Sequence, residues 1–268
     1  MQRGGGFKSK QRADGRSTGL ARALSKLGFC SRSQAGDLVR TGRVRVNHAV
    51  QHDPERRVQL GRDEIAVDGA VLRAGAPVYL MLNKPRGLVT TRADEKGRDT
   101  VFQCFDGRPV PFVSPVGRLD QASEGLLLFT NDTAWAALIT DPATRLEKIY
   151  HVQVNCLADT TLLQRLEAGV AAEVESGDAR LCVRRARLLR SGEKRSWLEI
   201  VLDEGQNRQI RRLLAACGVE VLRLVRVAIG SLQLGTLGKG QMRGLTGQEV
   251  RALSAPRAAA SLTGKAGR

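Results

Sequence analysis

One carboxylate stands out as a group that can do chemistry. Asp120 lies in the stretch Gly117-Arg118-Leu119-Asp120-Gln121-Ala122-Ser123-Glu124-Gly125, bounded by glycines and running into the apolar LLLFT. A carboxylate delivered by apolar structure, with an arginine two residues earlier, can serve as nucleophile or base beside a cation that stabilises its charge. Spacing alone favours the plainer reading, an Asx-type turn before a strand. Glu124 invites a two-carboxylate glycosidase reading, but nothing in the sequence fixes the separation such a pair needs. Other chemistries are excluded more readily. His48 and His52 have an H-x-x-x-H spacing in a strand-and-turn region with no Glu after His48, and with three histidines in all a zinc site is not expected. Gly238, Gly240 and Gly244 imitate a glycine-rich loop, but too little chain follows for a βαβ nucleotide unit. There is no Walker A sequence and no G-x-S-x-G.

The elements that must hold Asp120 follow from hydrophobic patterning. VYLMLNKPRG is a near-continuous apolar run stopped by Pro85 and Gly87, as expected of a buried strand ending in a loop. Gly125 to Thr130 reads as a second such strand. It leads into a short helix capped by Asn131 or Asp132 and carrying Trp135, Leu138 and Ile139. KIYHVQVN alternates as a strand, TTLLQRLEAGV reads as a helix and SWLEIVLDEG as another strand. NRQIRRLLAACG is amphipathic, with Ile210, Leu213 and Leu214 on one side, arginines on the other, and Gly218 as its stop. By default Tyr150 in the alternating strand is a half-buried core tyrosine, and Arg211 on the helix faces solvent. Strands and helices intersperse without regular βαβ spacing, so the fold class is α+β, with a mixed, mainly antiparallel sheet and flanking helices.

Ahead of this lies a smaller pattern. Leu20, Leu24 and Leu27 share one helical face, with Gly28 as a stop. Ser31 and Gln34 match a capping box for a second helix that Gly42 ends, and Arg43-Val44-Arg45-Val46 alternates as a strand. Arg22, Lys26, Arg32, Arg40, Arg43 and Arg45 thus fall on two short helices and an adjoining strand, where packing can gather them into one cationic face. The chain as a whole has 268 residues, with 43 Lys plus Arg against 27 Asp plus Glu, a net charge of +16. An excess of that size points to a phosphate polymer, the plain alternative being a solvated surface in an arginine-rich proteome. Residues 1–18 read as a flexible basic arm, 19–69 as the first folded module, 70–76 as a linker, 77–254 as a second domain and 255–268 as a loose basic tail. Five cysteines without a C-x-x-C pair argue against a disulfide framework. No apolar run approaches a membrane span and no secretory h-region opens the chain, so a cytoplasmic monomer without membrane contact is expected.

The first module, through GFCSRSQAGDLVRTGRVRVN and GRDEIAVDG, resembles the S4-like RNA-binding fold. GRLDQASEGLLLFTND resembles the signature of RNA pseudouridine synthases, in the branch that carries an N-terminal S4-like domain and modifies ribosomal RNA. VYLMLNKPRGLVTT precedes that signature, and LEKIYHVQV and LDEGQNRQIRRLL follow it in the family's order, so the likeness runs from about Gly19 to Leu253. The resemblance implies that Asp120 is the catalytic aspartate, that Tyr150 is the tyrosine of the K-x-Y element, and that Arg211 of Q-I-R is ion-paired with the aspartate. It also implies that Arg118 helps hold the target nucleotide out of its stack. The reaction is an isomerisation, so no redox cofactor, metal or ATP is implied. The implied partner is ribosomal RNA or a ribosomal subunit precursor, with DQASEGLLLFTND and KIYHVQV leaning toward large-subunit RNA. A non-catalytic assembly factor on the same fold would need none of Asp120, Tyr150 and Arg211, and an S4-bearing methyltransferase would need a glycine-rich loop that is absent.

Overall fold

A computed structural model describes residues 17–255 apart from 93, 106, 108–109 and 175–176. The basic arm up to residue 16 and the tail beyond 255 lie outside the described residues. The chain divides into two units, between Ala76 and Pro77.

In the first unit β1 (Thr18–Gly19) leads into α1 (Leu20–Lys26) and α2 (Arg32–Arg40). These are followed by β2 (Val44–Val46), β3 (Ala49–Gln51), β4 (Arg57–Val58), β5 (Ile65–Val67) and β6 (Ala70–Val71). Ser31 caps α2 as its sequence requires: its hydroxyl accepts from Gln34 N–H at 3.2 Å, and Gln34 Oε1 accepts from Ser31 N–H at 3.1 Å. Gly42, at φ +72°, closes the helix against His52. Leu20, Leu24, Val39, Val44 and Ile65 are fully or almost fully buried in one small core, while Arg22, Lys26, Arg32, Arg40, Arg43 and Arg45 are all exposed. Two boundaries differ from the sequence reading. Thr18, assigned to the arm, is buried and pairs with Val58. Ala70 and Val71, assigned to the linker, form the strand β6 on β5, because Asp68 and Gly69 both adopt positive φ and make a hairpin turn. The sheet of the module is β3-β2-β5-β6.

The second unit is built on a nine-stranded sheet among the described residues, with main order β13-β14-β10-β15-β9-β7-β17. Its strands are β7 (Tyr79–Lys84), β8 (Ser114–Val116), β9 (Glu124–Thr130), β10 (Lys148–Val154), β13 (Arg185–Ser191), β14 (Ser196–Leu202), β15 (Val221–Ile229), β16 (Leu232–Gln233) and β17 (Met242–Gly244); β11 (Val170–Val174) and β12 (Gly177–Leu181) form a separate hairpin. The helices are α3 (Thr133–Thr140), α4 (Thr160–Ala168), α5 (Gln209–Ala216) and α6 (Gly247–Ser254). β9 is buried along its whole length because both its faces are covered. Leu127 and Phe129 join Tyr150, Val152, Ile200 and the inner sides of α4 and α5 in one core. Leu126 and Leu128 face the opposite way, to Trp135, Ile139 and Leu253 of α3 and α6. Leu138 of α3 projects to solvent, since Trp135 and Ile139, one turn apart, already fill the buried side of the helix. β9 and β15 run parallel, and the other paired strands among the described residues run antiparallel.

Candidate active site

The loop carrying Asp120 joins β8 to β9 and is clasped from the side by the segment that leaves β7. Gly87 N–H donates to Gln121 O at 2.8 Å, and Gln121 Nε2 returns a bond to Gly87 O at 3.0 Å. Thr90 Oγ1 donates to Leu119 O at 2.7 Å and accepts from Leu119 N–H. Lys84, fully buried, donates its ammonium to Ser123 O at 2.8 Å and Pro85 O at 3.0 Å. Burial pushes the Lys84 pKa down to about 8, against an upward pull from Glu124 and Asp120. The far end of the clasp is fixed by Arg92, whose guanidinium lies 4.0 Å from the Phe102 ring centre and 4.2 Å from that of Phe112 and donates to Val113 O at 2.6 Å. A main-chain loop pinned at Leu119, Gln121 and Ser123 leaves the side chain of Asp120 little room to wander, and that side chain remains one-third exposed.

The cation against Asp120 is Arg208, with Nη1 3.6 Å from Oδ2. Arg208 starts α5 in the left-handed region, φ +53°, which turns its side chain back toward the loop instead of along the helix. Arg211, one turn on, is half-sunk beside it. Its Nη2 donates to Ala122 O at 3.2 Å and Nη1 to Val221 O at 3.3 Å, while its buried Nε has no hydrogen-bond partner. Burial lowers the Arg211 pKa, the like charges of Arg208 and Arg86 add to that, and Asp120 opposes it. The expected contact between Arg211 and Asp120 is therefore one of proximity: one bond of Arg211 goes to the loop that carries Asp120 and the other to β15, and the closer cation is Arg208. Arg118 is exposed. Glu124 is not available as a second acid or base. It is buried and gripped by Arg223 at 2.7 and 2.9 Å and Lys239 at 2.9 Å, which together hold its pKa below the ordinary value despite burial.

Tyr150 is almost buried on β10, on the same side of the sheet as Leu119 and the inner side of α5. Its register partner on β15 is Arg226, which in turn pairs with Gly125 on β9. This row needs Gly125 to be glycine. Its φ is +101°, and a Cβ there would collide with Arg226 O and stand 2.8 Å from Arg226 N. Arg226 is itself buried, donates Nε–H to Leu126 O at 2.7 Å, and leaves Nη2 unpartnered. Among the described residues, the two buried side-chain nitrogens or oxygens without a partner are Arg211 Nε and Arg226 Nη2, both flanking this loop and strand row. A partly exposed carboxylate held beside a cation on a clasped loop can attack or assist cleavage at an anomeric carbon. Sequence reasoning passed over Lys84, Arg208 and Arg226. The signal for Lys84 was a charged residue closing an otherwise apolar strand; Arg208 and Arg226 carried none.

Residues 78–216 match the family model described as RNA pseudouridylate synthase, and residues 18–65 match the S4 domain. The chain is 35% identical over 238 residues to ribosomal large subunit pseudouridine synthase B of Bacillus subtilis (strain 168), covering 88% of this chain and 95% of that one. This chain belongs to the RNA pseudouridine synthase family. It is therefore an isomerase of RNA uridine carrying an S4 domain. An uncharacterized RNA pseudouridine synthase of Aquifex aeolicus (strain VF5) is 36% identical over 231 residues, 86% of this chain and 91% of its own length. A crystal structure of a pseudouridylate synthase superposes with a TM-score of 0.61 at 29% identity, covering 88% of this chain and all of that one. Asp120, Tyr150 and Arg211 all fall within the matched synthase region. No helix among the described residues is long and apolar enough to cross a membrane.

Proposed function

We propose that this synthase isomerises a specific uridine of large-subunit ribosomal RNA, with Asp120 as the reacting carboxylate and no cofactor. The observation that carries the reading is the placement of Asp120: a partly exposed carboxylate on a loop clasped by Lys84, Gly87 and Thr90, with Arg208 3.6 Å away and Arg211 holding the loop backbone. Uridine must lose its N1–C1′ bond, turn over and rejoin through C5 while the free base stays bound. Asp120 supplies the carboxylate for C1′, and Arg208, 3.6 Å away, aims it. Tyr150 offers a ring to the detached uracil and a phenol toward the C5 proton. Arg118, exposed at the loop entrance, reaches the phosphates of the extruded nucleotide. The S4 module supplies shape-dependent RNA contact through its exposed cations.

The large-subunit assignment draws support from the name of the Bacillus subtilis relative. Mapping pseudouridines in ribosomal RNA from cells with and without the gene tests it. The expected result is loss of a large-subunit site, restored by the wild-type chain and not by Asp120→Asn. An unchanged map in both subunits removes the proposal.

A further inference from the structure

The strand alternation that turns Tyr150 and Val152 toward α5 turns His151 and Gln153 to the opposite side of the sheet. There α3 and α6 cover the part formed by β7 and β9, but toward the Trp197 end of β13, β14 and β10 that face carries polar and charged side chains reached by solvent. Register sets them in rows. One row runs Arg190, Trp197, Gln153 and Arg223 across four strands. The guanidinium carbons of Arg190 and Arg223 lie 5.3 and 5.8 Å from the Trp197 ring centre. The next row sets Arg187 and Glu199 beside His151.

The carboxylates beside these rows, Glu199 and Glu124, are already paired. Glu199, 10% exposed, receives Arg187 at 2.8 Å, and Glu124, 3% exposed, receives Arg223 and Lys239. Their partners stand proud of them, Arg187 at 60% and Lys239 at 59%. The surface so made is cationic, with a partly exposed indole at its middle. We propose that it is a second RNA-contact surface, on the face opposite Tyr150 and α5, that takes an unpaired stretch of RNA with a base stacked on Trp197. Phosphates suit the surplus of guanidinium and ammonium groups, and a base ring suits a partly exposed tryptophan set among cationic side chains. Duplex RNA hides its base faces, so the occupant is single-stranded. This goes beyond the isomerisation and does not depend on which uridine is modified.

Trp197 is its own reporter. The sequence holds two tryptophans, and the other, Trp135, is 5% exposed, bonded through Nε1 to Ser254 Oγ and packed edge-on to Tyr79. Titrating the full chain with oligouridine should quench tryptophan emission. The same titration of Trp197→Phe should show no quenching. Arg190→Glu should weaken oligouridine binding about fivefold or more and flatten its salt dependence by about 0.7. Pseudouridine formation on a short stem-loop carrying only the target should be unchanged in Arg190→Glu, which separates this surface from the active site. Absence of quenching in the wild type, or equal affinity for Arg190→Glu, overturns the proposal. Quenching by poly-glutamate as strong as by oligouridine also overturns it, in favour of an acidic protein.

Discussion

At the scale of single residues, two arginines beside Asp120 divide their tasks. Arg208 faces the carboxylate and is half exposed, whereas Arg211 spends its hydrogen bonds on Ala122 O and Val221 O. Asp120→Asn should abolish product while RNA affinity stays within a few-fold, checked by single-turnover assay and filter binding. Arg208→Ala should cut turnover with little change in the thermal midpoint. Arg211→Met should cut turnover and also lower the thermal midpoint, since it removes the donor to the part-buried carbonyls of Ala122 and Val221 at about 1–3 kcal/mol each; equal melting of the two variants would contradict that division. Tyr150→Phe keeps the ring and removes the phenol, so retained RNA binding with lost turnover marks a proton-transfer role. Lys84 adds a pH signature. Its pKa falls from 10.5 in the unfolded chain to about 8 when folded, so between those values the unfolded state binds more protons and stability rises with pH. Lys84→Met lacks that gain. The melting difference, wild type minus variant, should therefore climb from pH 8 to 10.5, and a flat difference would show that the ammonium is not desolvated.

The elements decide where those residues stand. β9 carries the loop into the middle of the sheet, and its parallel pairing with β15 brings Gly125 against the backbone of Arg226. Gly125→Ala forces the two strands apart and strains a positive φ, so a loss of about 3 kcal/mol or more is expected in urea denaturation. A far smaller loss would mean that the strands yield easily. In the first unit the capping box of α2 is local, and Ser31→Ala should cost about 1 kcal/mol. The clasp from Lys84 to Thr90 ties β7 to the Asp120 loop, so the strand pair and that loop move as one.

For the whole molecule, charge is the organising quantity. Of the six cations expected to share one face of the S4 module, Arg40 is paired with Asp37 and Arg43 with Asp68, which leaves Arg22, Lys26, Arg32 and Arg45, without an acidic partner among the described residues, to meet phosphates. Comparing the full chain with residues 77–268 on one ribosomal RNA fragment at several salt concentrations should show weaker binding by the shorter chain. Its log–log salt slope should be lower by at least roughly 3, about 0.7 for each of four cations. Equal slopes would mean that the first unit is not the RNA grip.

Local rules made much of this legible in the sequence. The Ser31–Gln34 cap, the alternation of Val44 and Val46, the apolar runs of β7 and β9 and the amphipathic α5 depend on neighbours a few residues away, and the structure has them as read. The order of the motifs around Asp120, Tyr150 and Arg211 also pointed to the family to which the chain belongs. The Asp68-Gly69 turn was equally local and was passed over, so β6 was assigned to a linker. What sequence could not supply were relations between residues far apart in the chain. Lys84 and Ser123, Arg208 and Asp120, Gly125 and Arg226, and Trp197 between Arg190 and Arg223 are neighbours only because nonadjacent strands pair and α5 packs back on them. Propensity and periodicity describe one element at a time. Which cation faces the carboxylate is set by the left-handed turn at Arg208 and the strand order around β9, and only the folded sheet decides those.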